Sequence, residues 1–258
     1  MRRIAGYREL LEKEVIEAWR THRLVLVAAL YVALGITAPV IIRYLPEIQG
    51  LFGPANEELG LGELGLPDAI DLVVRNIVQF GSIAAVLLAM GAVAGERERG
   101  TLALTLSKPV SRTAFLVAKF VSIAMVLALA TGLGILAMYL YATLLYGPTD
   151  PVAWFQVALV LLLAVLVPAS ITFLGSVVAP SPLGAGAVGV ASLVVLSFGS
   201  TLPSASPWFS SGLAEIARAM PLEGVGSDLD PAQTIGVSVG IVVVAILLSW
   251  WRFRSVDI

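Results

Sequence analysis

Apolar positions in this chain run in long unbroken blocks, and the polar positions collect in the stretches between them. Six blocks, residues 24–42, 77–95, 120–146, 152–179, 183–202 and 233–251, contain no Asp, Glu, Lys, Arg or His. Each has about 19 residues or more, and at about 1.5 Å per helical residue roughly 20 residues cross a hydrocarbon core of roughly 30 Å. Strands of a membrane barrel would be about ten residues long and would alternate in polarity, which these blocks do not. The pattern predicts an all-α membrane protein, a single transmembrane domain over 1–258 with six transmembrane helices.

The intervening stretches differ among themselves. Residues 6–23 place Tyr7, Leu10, Leu11, Val15, Ala18 and Trp19 at spacings of three and four among Arg, Lys and Glu. That periodicity predicts an amphipathic helix lying in the membrane interface over 1–23, and its length, charge and lack of a clear cleavage site argue against a cleaved signal peptide. Residues 43–76 and 203–232 are expected as loops on one side of the membrane. The first is rich in Gly and acids and is interrupted by Pro46, Pro54 and Pro67. In the second, 213–220 has a short helical pattern stopped by Pro221 and preceded by Trp208 and Phe209, a segment suited to dipping into the bilayer. Residues 96–119 form a loop on the other side.

The distribution of charge orients this plan. Of 16 Lys and Arg, 13 fall on the side of the N-terminus; only Arg43, Arg75 and Arg218 fall on the other, together with eleven of the 18 acidic residues. An excess of Lys and Arg marks the cytoplasmic face, so both termini and the loop 96–119 are expected to be cytoplasmic. The loop between the fourth and fifth blocks is uncharged, and its side follows by parity alone.

Composition then narrows the chemistry. With 58% hydrophobic and 13% charged residues, no sizeable soluble domain remains outside the membrane bundle. The chain has no cysteine, which excludes disulfides and thiolate metal sites. His22 is the only histidine and sits beside Arg20 and Arg23, where it reads as an interfacial side chain; no metal site is expected. No Ser or Lys has a convincing catalytic partner. The polar side chains inside the blocks, Gln79, Gln156, Gln233 and scattered Ser and Thr, suit hydrogen bonds between helices, so substrate-binding residues are not legible. Gly184, Gly186, Gly189, Gly236 and Gly240 favour close helix approach within the chain or across a dimer, and Pro39 and Pro168 suit kinks.

One stretch is more specific. Between the second and third blocks, Leu102, Leu104 and Leu106 form an apolar run too short to cross the membrane, flanked by Glu96, Arg97, Glu98 and Arg99 on one side and Lys108 on the other. An apolar segment held at the membrane surface calls for a protein partner, and the charges can set its orientation. Gly100 suits a helix break, Pro109 ends the segment, and Ser111 is placed to cap the helix that follows. The plainer reading of the charges is that they only mark the membrane boundary.

Glu96-Arg97-Glu98-Arg99-Gly100-Thr101-Leu102, then Lys108-Pro109-Val110-Ser111-Arg112 and Lys119 entering the next span, resemble the ABC-2 type transporter permeases. The chain's ending, with Arg252, Phe253 and Asp257, and its six-span plan extend the resemblance over nearly the whole length, and it looks most like the branch that includes the membrane subunit of nitrous-oxide reductase maturation. The resemblance implies a permease subunit in the cell membrane that couples ATP hydrolysis by a separate ATPase to substrate movement, with export as the expected direction. It further implies a coupling helix at about 96–107 seated on the ATPase, with Glu96, Arg97, Glu98, Arg99, Gly100, Thr101, Leu102, Leu104, Leu106, Lys108 and Pro109 as contact residues. The partners it implies are two ATPase copies, which hold ATP and Mg, and a second permease chain in a homodimer, with no nucleic acid.

What is missing agrees with that division of labour. A phosphate-cradling loop needs Gly-Lys followed by Ser or Thr, and no Gly here is followed by Lys, so the chain is expected to be no enzyme and to bind no cofactor itself. An ion-coupled carrier would be expected to bury an ionisable group in its spans, and the six blocks have none. A further reading keeps the ATPase lever but uses it for assembly or signalling through a partner outside the membrane.

Overall fold

A computed structural model describes residues 6–50, 64–102, 110–199, 212–222 and 229–255. Helices account for every regular element among them: α1 (Tyr7–Arg20), α2 (Arg23–Gly50), α3 (Leu66–Asn76), a π-helical turn (Ile77–Gly81), α4 (Ser82–Met90), α5 (Ala94–Glu98), α6 (Arg112–Tyr146), α7 (Pro151–Val178), α8 (Pro182–Gly199), α9 (Gly212–Ala219) and α10 (Pro231–Arg254). Local chemistry sets the starts. The Ser111 hydroxyl accepts from the Ala114 N–H at 3.0 Å, and α7 and α10 both begin at an Asp-Pro pair. There Asp150 and Asp230 accept from the N–H groups of Val152 and Ala232, each at 2.9 Å, while the proline occupies a position whose N–H has no helical partner.

Several boundaries differ from the hydropathy reading. Residues 43–50 and 66–76, expected in a loop, are helical: α2 continues through Pro39 and Pro46 to Gly50, and α3 buries Ala69, Ile70, Val73 and Val74. Charged residues spaced at helical intervals hid that face, because Asp68, Asp71 and Arg75 occupy the other side of α3. The second block is not one continuous helix, since the π-turn opens it and a break at 91–93 precedes α5. Pro54, Trp208, Phe209 and Asp257 lie outside the described residues.

Among the described residues, five helical segments are long and apolar enough to cross a membrane: those within 23–47, 66–98, 112–146, 151–178 and 231–254. The fifth block is α8, whose 18 residues make about 27 Å, at the lower limit for a hydrocarbon core of roughly 30 Å. Along α6, Met125, Leu129, Leu133, Leu136, Leu140 and Leu144 recur every three or four residues and are exposed, a face suited to lipid.

Two apolar cores lie toward opposite ends of the bundle. One contains Ile42, Ile70, Ile77, Met138, Trp154 and Leu213; the other contains Leu10, Leu102, Phe115, Phe173 and Phe253. The N-terminal helix and the end of α10 therefore share one end, here called the motif end. α7 runs through the middle, packed against α4, α6, α8, α9 and α10. The broadest helix pairing, α2 with α6, depends on close backbone approach: a Cβ on Gly134 would lie 2.8 Å from the Tyr31 carbonyl oxygen, and one on Gly35 would collide with the Gly134 carbonyl. The short α9 is packed down by Leu213, Ala214 and Ala217 onto the core at the far end.

Candidate coupling site at the motif end

The break between α4 and α5 frees backbone N–H groups that a buried helix end must satisfy. Those of Val93 and Ala94 both donate to the Ser176 hydroxyl, at 2.9 and 3.0 Å, so a side chain near the end of α7 caps α5. Arg97 answers from the other direction. Its guanidinium donates to the carbonyls of Ala179 and Val177 at 2.6 and 2.9 Å, which end α7 with unpaired acceptors of their own. A cation at a helix C-terminus also meets the negative end of the helix dipole. α5 and α7 are thus fastened reciprocally.

Glu96 points inward. Its side chain is 6% exposed and pairs at 2.6 Å with Lys119 of α6, itself 7% exposed. Lys119 also reaches Glu14 of α1 at 2.9 Å, and Lys13 lies 3.5 Å from Glu96 and 3.4 Å from Glu14. Burial pulls the Lys13 ammonium down, but Glu14, Glu96 and Glu17 together push it above the usual lysine range. It therefore stays charged at neutral pH, and its contribution to the cluster is lost only as pH rises through that raised value. The four charges join α1, α5 and α6. Sequence reasoning marks Lys119 and Glu96 through the motif but misses Glu14, which has the same chemistry as the exposed Glu9 and Glu12 and the half-buried Glu17 around it.

Leu102 is buried with Leu10, Phe115 and Phe253. Phe253 stacks on Phe115 with ring centroids 5.7 Å apart, and Trp250 donates to the Thr113 hydroxyl at 3.0 Å, so the last turns of α10 close over the start of α6. Arg112 donates to the carbonyls of Phe253 and Arg254 at 3.5 and 3.1 Å. Glu98, Arg99, Gly100 and Thr101 form the exposed edge of the motif. Gly100 has φ +69°, a left-handed conformation that glycine adopts without strain and that turns the chain out of α5. The Arg99 Nε donates to the Gly95 carbonyl at 3.0 Å, and the Thr101 hydroxyl donates to that of Glu96 at 3.3 Å. Leu104, Leu106, Lys108 and Pro109 lie outside the described residues.

The corner so built gathers the middle of α1 and the ends of α4, α6, α7 and α10 around one helix break. Its groups are fixed cations, carboxylates held by them and apolar side chains. The arrangement is mechanical: it fastens helices together and leaves one charged edge exposed.

A model of the family described as "ABC-2 family transporter protein" matches residues 8–258. The chain is also 27% identical over 255 residues, 96% of its length and 97% of the relative's, to a protein of Bacillus subtilis (strain 168) named "Uncharacterized transmembrane protein YxlG".

Proposed function

The chain belongs to the ABC-2 family of transporter proteins, and we propose that it is a permease subunit that couples ATP hydrolysis by a separate ATPase to substrate movement across or out of the membrane. The observation that carries this reading is the double attachment of α5, with Glu96 held by α6 and α1 and Arg97 held by the end of α7. Breaking a buried charged contact costs about 3–5 kcal/mol, so a push on this corner moves the attached helices together in preference to detaching them.

In this reading the docking residues are Glu98, Arg99 and Thr101 of the exposed edge together with Leu104, Leu106, Lys108 and Pro109 of the sequence motif. Glu96, Arg97 and Leu102 support that edge from within. The 13 cationic residues on the motif side support a cytoplasmic position for it and for both termini, with the chain in the cell membrane. Two ATPase subunits, holding ATP and Mg, and a second copy of the chain complete the transporter, and α8 supplies the sixth crossing.

The test is affinity purification from the cell that makes the protein. The wild-type chain should bring down a magnesium-dependent ATPase activity. Reversing the exposed charges with Glu98→Lys and Arg99→Glu together should lower the recovered ATPase at least about tenfold, about 1.4 kcal/mol, while thermal unfolding of the chain stays unchanged. Undiminished recovery would overturn the docking role.

A further inference from the structure

Toward the far end of the bundle, two facing walls of one cavity are built where the helical hydrogen-bond ladder is irregular. The π-turn brings Val78 and Gln79 to one wall, and α7 brings Ala164 and Pro168 to the other. Pro168 has no N–H, so the Ala164 carbonyl loses its helical donor at the cavity surface. Inside a bilayer, irregular backbone is tolerated where protein or a cavity shelters it, and π-turns recur at functional sites. Leu193 and Leu196 of α8 form a third wall, and Glu215 and Arg218 of α9 stand at the rim. The cavity measures about 490 Å³, within the range of small-molecule sites.

Packing explains why the gap opens here. Nearer the motif end α8 is drawn tightly against α4 and α7: a Cβ on Gly189 would lie 2.6 Å from Val86 Cγ1 and 2.5 Å from the Thr172 hydroxyl, and one on Gly186 would lie 3.1 Å from Met90 Sδ. Beyond Gly189 the larger Leu193 and Leu196 follow, and the helices part around the cavity. Phe80, Ile83 and Val194 beside it are exposed apolar side chains, so its mouth borders the lipid.

The lining is graded. Ile83, Ala164, Leu193 and Leu196 are apolar, whereas Arg75, Glu215 and Arg218 cluster at the far rim. Asp71 pairs with Arg75 and, at 2.7 Å, with Arg218, so two guanidiniums share one carboxylate. Glu215 has no ion-pair partner among the described residues. Among the described residues the rim thus has two guanidiniums sharing a single carboxylate and one carboxylate without an ion-pair partner, next to a chamber whose walls are largely apolar. We propose that this cavity binds a zwitterionic amphiphile, its acidic group at Arg75 and Arg218, its amine at Glu215 and its tail along Ile83 and Leu193. Calling the ligand a cargo rests on the transporter reading; its binding does not, since no ATPase is needed for occupancy.

Native mass spectrometry of the full chain in maltoside micelles tests the site with three probes: lysophosphatidylethanolamine, lysophosphatidic acid, which lacks the amine, and glycerophosphoethanolamine, which lacks the tail. The first should bind saturably as one copy per chain. Ala164→Leu and Leu193→Trp, which fill the chamber, should each weaken it at least about tenfold. Glu215→Gln should weaken lysophosphatidylethanolamine by a similar factor and leave lysophosphatidic acid unchanged, while Arg218→Gln should weaken both; Arg75→Gln replaces it should Arg218→Gln fail to fold. Binding indifferent to both filling variants, equal effects of Glu215→Gln on the two lipids, or equal affinity for the tail-less head would each overturn the proposal. Lost lipid binding with ATPase recovery intact sinks the site alone; lost ATPase recovery with lipid binding intact sinks the coupling reading alone.

Discussion

Lys119 is held by two carboxylates from two other elements, Glu96 at 2.6 Å and Glu14 at 2.9 Å. A buried charge stripped of its partner is costly, whereas a charge that retains one of two partners keeps most of its compensation. Lys119→Met should therefore lower the chain's stability by about 3 kcal/mol, because Glu96 stays buried with only Lys13 nearby. Glu14→Gln should cost about 1 kcal/mol or less, since Lys119 keeps Glu96 and a glutamine can still accept its hydrogen bond. Thermal unfolding of the two variants in the same detergent decides; equal losses would overturn this ranking of the two partners. The motif's own residues are legible in sequence, but the direction each one faces is not. Glu96 and Glu98 are two positions apart on a helix and so lie on different faces, and only the placement of α6 and α1 makes the first buried and the second exposed.

At the scale of elements, glycine has two different meanings in this fold. Gly35 and Gly134 stand where α2 and α6 touch backbone to backbone, while a Cβ on Gly236 or Gly240 of α10 would meet nothing within 4 Å. Gly35→Ala should push the helices apart and cost about 2 kcal/mol. Gly240→Ala should leave the isolated chain as stable as before, or slightly stabilised as a better helix former, and should change only the fraction of dimer if α10 packs against a second copy. Unfolding scans together with cross-linking in membranes separate these outcomes. From sequence the spacing of Gly236 and Gly240 stands out, whereas the paired glycines that the fold uses belong to different helices and share no local pattern. α3 was hidden for a related reason. Its amphipathic face buries Ile70 and Val73 against protein, so its charged residues dilute the apolar signal that marks a lipid-facing span.

For the whole molecule, topology is the expectation that most of the functional reading uses. The chain has no cysteine, so single cysteines report sidedness cleanly. With a membrane-impermeant maleimide applied to intact cells, Glu47→Cys should label, and Ser255→Cys should label only after permeabilisation. Both positions are in described helical ends, Glu47 late in α2 and Ser255 after α10. Labelling of Ser255→Cys in sealed cells would place the motif end outside and remove it from any cytoplasmic motor. The shared end of α1, α6 and α10 follows from the core that holds Leu10, Phe115 and Phe253 and from the bonds of Arg112 to the carbonyls of Phe253 and Arg254, which tie residues more than a hundred positions apart.

Sequence by itself determined that this is a helical membrane bundle of the ABC-2 kind and which loop carries its motif. Those properties are local: a span is an unbroken run of apolar residues of sufficient length, and the motif is contiguous. Tertiary structure alone decided which motif residues face inward, that Ser176 and Arg97 fasten α5 to α7, and that Pro168 and the π-turn meet across one cavity. Each of those depends on side chains or backbone breaks from helices distant in the chain, whose meeting is fixed by packing and hydrogen-bond satisfaction and not by any spacing along the sequence.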